Sequence, residues 1–143
     1  MSTFAQQEQI DWNELQSAAG PYPIEAFRFV SEGLHHTADR IHGDEDGLHE
    51  LDRHVSGQQL CLGLRDYAIG RYGLLAPVVL EHWHIHRTDD FGRIVFAMIT
   101  HNMLSKTSDD SVDDFRAVYD FDEAFSTSEL VAYLSASDSP APA

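Results

Sequence analysis

The segment APVVLEHWHIHRTDDFGRIVFAMIT, Ala76 to Thr100, decides the fold because it predicts two helices joined by a tight turn. Pro77 suits the first turn of a helix, where its missing N–H costs little. Thr88 is a favourable N-cap and therefore starts a second helix. Between them, Ile85 is the aliphatic residue that would fill the turn. We therefore predict a short helix from about residue 75 and a longer one from Thr88.

The second of these helices has a regular apolar stripe and one aromatic residue outside it. The stripe follows the spacing i, i+3, i+4, i+7 and i+8, in Phe91, Ile94, Val95, Met98 and Ile99. Phe96 lies roughly 130° from the centre of the stripe at about 100° per residue. It is either covered by the segment that follows or exposed to a partner. Because arginine and aromatic side chains anchor interfaces, Arg87, Arg93 and Phe96 are candidate protein-interaction residues.

Three further helices are predicted ahead of this pair. A short one comes first, and a longer one runs from about Ile24 to Gly43. After an acidic connector, Ser56 and Gln59 form a capping box that opens the third helix. Gly73 then suits a left-handed C-cap.

The residues after the last of these helices predict a β-hairpin. Two stretches, 103–106 and 115–121, are rich in strand-forming side chains and flank an acidic turn. We therefore predict a mainly α (α+β) fold: a helical domain with a C-terminal β-hairpin, winged-helix-like in residues 56–121.

The chain has the length of one domain, at 143 residues. We expect a single globular domain over residues 1–134. Its N-terminal helices and acidic connector occupy 1–55, and the winged-helix-like part occupies 56–121. The remaining residues, 135–143, have the composition of a flexible tail.

Charge and composition limit the partners and the compartment. The chain has 24 Asp and Glu against nine Lys and Arg, a net charge of −15, which repels phosphate backbones and makes nucleic acid an unfavourable partner. The start lacks a signal-peptide pattern, and no stretch reaches the roughly 20 apolar residues of a transmembrane helix. We therefore expect a cytoplasmic protein without a membrane partner. Cys61 is the single cysteine and is expected in the core.

The order of helix, short helix, tight turn, helix and hairpin resembles a winged helix-turn-helix. The resemblance covers residues 56–121, rests partly on Leu80 and Ile85, and implies a DNA-binding transcription regulator. Members that read DNA present basic residues around the second helix, whereas this helix begins with Asp89 and Asp90. The predicted wing tip is also acidic, with Asp109, Asp110, Asp113 and Asp114.

Three phrases of the chain also resemble an uncharacterised family of small acidic bacterial proteins, described only as repeat or hypothetical proteins. The phrases are RHVSGQQLCLGLRDYAIGRYG, RTDDFGRIVFAMI and DDFRAVYDFDEAF. This resemblance covers most of residues 22–125 and implies a non-enzymatic bacterial cytoplasmic protein.

His82, His84 and His86 alternate along the chain and raise the possibility of a metal site. On a strand they would share one face, as zinc or copper ligands do. On a helix that ends near His84, the first two point about 200° apart and cannot chelate one ion. The helical interpretation is favoured, so we predict no metal site, no catalytic residues and no cofactor. The alternative is a metal-dependent enzyme completed by His54 or His101.

One further stretch could bind an anion. Arg53 and His54 precede a helix N-terminus that begins with Ser56 and Gly57, where backbone N–H groups favour negative charge. Helix capping alone also explains the serine.

The sequence as a whole favours a non-enzymatic protein-interaction or regulatory module. Its partner would be another protein or a second copy of the chain. A winged-helix DNA-binding transcription regulator is the alternative, and a histidine-based metal-dependent enzyme is the third possibility.

Overall fold

The computed structural model describes residues 1–3, 12–43 and 53–137. Over these ranges the protein is mainly helical, as predicted. The elements in chain order are β1 (Ser2–Thr3), α1 (Trp12–Ala19), α2 (Ile24–His42), α3 (Gly57–Tyr72), a 3-10 turn (Gly73–Leu75), α4 (Ala76–His82), α5 (Thr88–Thr100), β2 (Leu104–Ser105), a second 3-10 turn (Val112–Phe115), α6 (Phe121–Ala124) and α7 (Thr127–Ser137). No helix in the described ranges is both long and apolar enough to cross a membrane.

The ends of several helices follow local sequence signals. Ser56 Oγ accepts a hydrogen bond from Gln59 N–H at 3.1 Å, and Gln59 Oε1 accepts one from Ser56 N–H at 2.9 Å, which confirms the capping box. Gly43 and Gly73 follow α2 and α3 with φ of 61° and 57°, where a side chain would be strained. Pro77 lies in the first turn of α4, as predicted.

Two glycines let α2 and α3 approach closely along their length. Gly33 of α2 and Gly63 of α3 are both buried. Thr37 Oγ1 donates a hydrogen bond to the carbonyl oxygen of Gly33 at 2.7 Å, and its side chain lies over Gly63. Leu64 fills the space opposite Gly33. The core of the protein is built on this helix pair.

The central helix α5 is enclosed on most sides. Its predicted stripe is buried at Phe91, Ile94, Val95 and Met98. Helices α1, α2 and α3 and the second 3-10 turn all contact it. Thr88, Asp90 and Gly92 lie outside the stripe and are buried as well. Of the side chains on α5, those of Arg93 and Thr100 are exposed.

The predicted C-terminal β-hairpin is wrong. Leu104–Ser105 is a strand, but it pairs antiparallel with Ser2–Thr3 and not with the segment after the acidic turn. Residues 112–115 form a 3-10 turn, and residues 121–124 form α6. In the described part of the chain, the winged-helix-like region 56–121 therefore has its helix pair α4 and α5 but no wing.

Side-chain caps explain why this segment is helical. Ser111 Oγ accepts a hydrogen bond from Asp113 N–H at 3.2 Å, which starts the second 3-10 turn. Asp120 Oδ1 accepts one from Asp122 N–H at 2.8 Å, which starts α6. Such caps satisfy backbone donors locally and compete with strand pairing. The strand-forming composition of 115–121 is therefore overridden.

Phe115 holds this segment onto the core. Its side chain is 0% exposed and lies against two glycines, Gly57 of α3 and Gly92 of α5. A Cβ at these positions would lie 3.1 Å and 3.0 Å from carbon atoms of the Phe115 ring. Phe96 meets the same ring edge-on, with centroids 6.2 Å apart. The absence of side chains at both glycines makes the hole that the ring fills.

Cys61 is fully buried, as predicted. Burial, and next the charge of Asp89, raises the pKa of its thiol to about 12. The hydroxyl of Tyr119 donates to the carbonyl oxygen of Cys61 at 2.8 Å. Because the thiolate is the reactive form, this cysteine is a core residue and not a nucleophile at neutral pH.

Candidate functional site

Asp90 organises the turn between α4 and α5. One of its carboxylate oxygens accepts a hydrogen bond from the Tyr22 hydroxyl at 2.6 Å. The other accepts from the backbone N–H groups of His86 at 2.8 Å and Arg87 at 3.1 Å. Ile85 is 1% exposed in this turn, as predicted. Burial first, and the hydrogen bond to Asp90 second, raise the pKa of Tyr22, so its hydroxyl stays protonated at neutral pH.

Thr88 does not cap α5 through its side chain, contrary to the prediction. Its hydroxyl donates to the carbonyl oxygen of Phe115 at 2.6 Å and accepts from Val118 N–H at 3.1 Å. Asp89 Oδ1 accepts from Ala117 N–H at 3.2 Å. These long-range bonds fix residues 115–118 to the first turn of α5. Ala117 has a φ of 46°, a conformation that alanine adopts only when its surroundings impose it.

An open cavity of about 700 Å³ lies beside this first turn. We call it the arginine cavity; it is lined by His86, Arg87, Asp89, Arg116, Ala117, Tyr119, Asp120, Phe121 and Asp122. Its volume falls in the range of small-molecule binding sites. Arg87 directly precedes α5, and Arg116 lies in the segment 115–118 that is hydrogen-bonded to the first turn of α5.

Arg87 and Arg116 differ from the other cationic side chains of the described chain. Every other Lys and Arg there has a nitrogen within 4.0 Å of a carboxylate, or its charged group within 6.0 Å of an aromatic ring centroid. In the described part of the chain, no carboxylate and no aromatic ring lies within these distances of Arg87 or Arg116, and both side chains are exposed. Both guanidinium groups are thus open to a ligand in the same cavity.

The three predicted protein-interaction residues have different surroundings. Arg87 lines the arginine cavity. Arg93 is exposed and lies 4.0 Å from Asp90. Phe96 is half-buried and packs on Phe115. The segment that follows α5 therefore covers part of Phe96. This is the first of the two possibilities that the sequence leaves open, the other being a partner surface.

The predicted anion-binding residues contact groups of the same chain. Arg53 forms an ion pair with a carboxylate of α2, and His54 Nε2 lies 3.0 Å from Asp110. Ser56 caps α3, while Gly57 is buried under the second 3-10 turn. These contacts bring negative charge to the predicted site, and anion binding there stays a prediction.

Asp110 is buried, although the sequence predicts it at an exposed wing tip. Its side chain is 4% exposed and lies 3.0 Å from the α-amino group of Met1. It also accepts a hydrogen bond from Thr107 N–H at 2.9 Å. Burial would raise the pKa of this carboxyl, but the bond from Thr107, the α-amino group and His54 together outweigh burial and lower it.

We expect Asp110→Asn to destabilise the protein in a pH-dependent way. Because the folded pKa lies below the unfolded one, the carboxylate stabilises the protein fully above the ordinary aspartate pKa of 3.8, and this stabilisation is lost as pH falls through the folded pKa. In urea unfolding, the free-energy difference between the variant and the unchanged chain should be present at about pH 6 and shrink below about pH 4.

The exposed neighbour Asp109 offers the matched control. Asp109→Asn should change the free energy of unfolding by less than about 0.5 kcal/mol at either pH. A difference for Asp110→Asn that stays constant into strong acid would show that its carboxylate is not the stabilising group.

The three alternating histidines surround the end of α4 and are all exposed. The segment is a helix followed by a turn, as predicted, with His84 at a φ of 62°. The ring centroids of His84 and His86 are 6.5 Å apart. In residues 1–3, 12–43 and 53–137, no three His, Cys, Asp or Glu side chains are grouped as metal ligands would be.

Three exposed apolar side chains lie together where α3 leads into α4. Leu74, Leu75 and Val78 are 56%, 63% and 59% exposed. Leu74 and Leu75 precede Val78 by four and three residues, so in this helical segment the three share one face. We call this face the corner surface. The sequence pattern missed it, because a short apolar run cannot show which of its residues stay uncovered.

The two surfaces offer different chemistry. The corner surface provides apolar area alone, whereas the arginine cavity provides charged hydrogen-bond donors beside aromatic rings. Comparison with protein-family models, with curated proteins and with solved structures finds no match to this chain.

Proposed function

We propose that the protein is a non-enzymatic interaction module that binds another protein through the corner surface. The observation that carries this proposal is the exposure of Leu74, Leu75 and Val78, each more than half accessible on one face. Single exposed apolar side chains are common and need no explanation. Three on adjacent turns form an apolar patch, on a chain whose net charge is −15.

The size of the corner surface limits the kind of complex. Three side chains cannot supply the roughly 800 Å² that each partner buries in a standard interface. They can form its apolar centre, where most of the binding free energy is concentrated. The surrounding polar surface, which includes the exposed Glu81 one turn after Val78, would form the rim.

The charge of the chain favours a different protein over a second copy. Two copies would each bring a net charge of −15 to the contact and repel one another. A partner with an apolar face and a basic rim would instead be attracted, which raises the association rate. The expected partner is therefore a protein with cationic residues around an apolar patch.

The winged-helix DNA-binding alternative has support from the order of α3, α4 and α5. Two observations oppose it. The start of α5, which would enter the major groove, is tied to residues 115–118 by the bonds of Thr88 and Asp89. Asp113 and Asp114 add acid beside it, where DNA-binding proteins carry cations.

The test is affinity capture of the tagged protein from its own cytosol, compared with two variants. Val78→Asp places a charge in the corner surface, and proteins bound there should be lost. Val112→Asp places the same charge at a side chain that is 51% exposed on the second 3-10 turn, and those proteins should be kept. Thermal unfolding of both variants checks that they remain folded.

Three results would contradict the proposal. If Val78→Asp and Val112→Asp capture the same proteins in equal amounts, those proteins do not bind the corner surface. Material that disappears on nuclease treatment would favour the DNA-binding alternative. A dimer in light scattering that Val78→Asp dissociates would make the partner a second copy of the chain.

A further inference from the structure

We propose that the arginine cavity binds a small organic anion, a single phosphate or carboxylate group attached to a planar ring. This site is separate from the corner surface and does not depend on the proposed protein partner. Arg87 and Arg116 both line the cavity without a carboxylate or ring contact in the described chain. A guanidinium binds phosphate and carboxylate through paired hydrogen bonds.

Three aspartates also line the cavity, and two of them are engaged by backbone donors. Asp89 Oδ1 accepts from Ala117 N–H at 3.2 Å. Asp120 Oδ1 accepts from Asp122 N–H at 2.8 Å and from Glu123 N–H at 3.3 Å. These hydrogen bonds fix the two carboxylates in the cavity wall. Neither Asp89 nor Asp120 forms an ion pair with Arg87 or Arg116.

Aromatic rings form the apolar side of the cavity. Tyr119 and Phe121 both line it and stack on one another, with centroids 5.7 Å apart and an angle of 19°. The Tyr119 hydroxyl is fixed by its bond to the carbonyl oxygen of Cys61. Flat aromatic surfaces favour a planar apolar group. A ligand with a ring beside its charged group would therefore use both parts of the lining.

The cavity is formed before a ligand arrives. Ala117, next to Arg116, is held at a φ of 46° by the bond of its N–H to Asp89. Thr88 fixes the backbone on both sides of it. The backbone that carries Arg116 is therefore already in place and need not be ordered by the ligand, which favours affinity.

Asp122 sets the charge that a ligand can carry. It is exposed and lines the cavity, and two arginines against three aspartates leave a formal charge of −1. A polyanion would be repelled, whereas one oxyanion group can sit at the arginines. Replacing Asp122 with Asn should therefore strengthen the binding of an anion.

The experiment is a titration of the full chain with phenyl phosphate, benzoate and inorganic phosphate, each in turn. Binding is measured by calorimetry and by changes in amide chemical shifts. Phenyl phosphate or benzoate should saturate and bind more tightly than inorganic phosphate; which of the two is tighter identifies the anionic group. Arg87→Gln and Arg116→Gln should each weaken binding about 10-fold, the effect of a lost charged hydrogen bond. Asp122→Asn should strengthen it by about two-fold.

Arg93→Gln is the matched control, because Arg93 is an exposed arginine of α5 that does not line the cavity. It should leave the affinity unchanged. The proposal is overturned if neither ring-bearing anion saturates, if inorganic phosphate binds as tightly as both, or if all three arginine variants lose affinity equally. These outcomes leave the corner-surface proposal unaffected, since protein capture by Val78→Asp is measured independently.

Discussion

Gly63→Ala is expected to lower the free energy of unfolding by about 3 kcal/mol, at the upper end of overpacking effects. The added Cβ would lie 2.8 Å from Thr37 Cγ2 and 2.9 Å from Thr37 Cβ. The Thr37 Cβ cannot rotate away, so the helices α2 and α3 must separate. Rotating the Thr37 side chain away instead would break its hydrogen bond to the Gly33 carbonyl oxygen within α2. Urea unfolding followed by circular dichroism measures the change.

Gly70 of the same helix is the matched control. It is exposed, and a Cβ there would meet nothing within 4 Å. Alanine is the better helix former, so Gly70→Ala should raise the free energy of unfolding by about 0.5–1 kcal/mol. If Gly63→Ala were as stable as Gly70→Ala, close approach of α2 and α3 would not depend on this glycine.

Asp90→Ala is expected to cost about 3 kcal/mol, because it leaves one buried and two partly buried donors without an acceptor. The Tyr22 hydroxyl loses its partner at 2.6 Å, and the N–H groups of His86 and Arg87 lose theirs. The turn between α4 and α5 should then loosen. Thermal and urea unfolding report the loss, and amide exchange at His86 and Arg87 should become faster.

A double-mutant cycle that combines Asp90→Ala with Tyr22→Phe measures the interaction energy of the Tyr22–Asp90 hydrogen bond apart from the other bonds of the turn. If the hydroxyl and the carboxylate stabilise one another, the two changes together should cost less than their sum by about 1 kcal/mol or more. Additive effects would show that the bond contributes nothing to stability. Asp109→Ala, at an exposed carboxylate, should change stability by less than about 0.5 kcal/mol.

The helices could be predicted from the sequence because their signals are local. Ser56 and Gln59 are three residues apart and specify the start of α3 without reference to the rest of the chain. Gly43 and Gly73 follow their helices at positive φ for the same reason. The stripe of α5 indicated its buried face, although it could not show that neighbours would enclose the helix on other sides as well.

The region after β2 was mispredicted because two local signals disagree there. Tyr119 and Phe121 have strand-forming side chains, but Ser111 and Asp120 cap helical turns. The strand partner of Leu104–Ser105 comes from the other end of the chain, which no local pattern indicates. The caps prevail because they satisfy backbone donors without a distant partner.

The candidate sites were only partly accessible to sequence reasoning. The residue type of Arg87 makes it a candidate binding residue, and Arg87 lines a cavity. The sequence predicts Arg116 and Tyr119 on a strand of the hairpin, and a strand there does not indicate that they lie beside Arg87. The corner surface depends on which side chains remain uncovered after packing, a property of the whole fold.

The seating of Phe115 between Gly57 and Gly92 has a consequence for the order of assembly. Its hole has one wall on α3 and one on α5, so it does not exist until those helices lie side by side. Residues 111–118 can therefore dock only after the helical core has formed. The arginine cavity needs Arg116 in place, so we expect it to be completed after the helical core and to be lost whenever residues 111–118 detach.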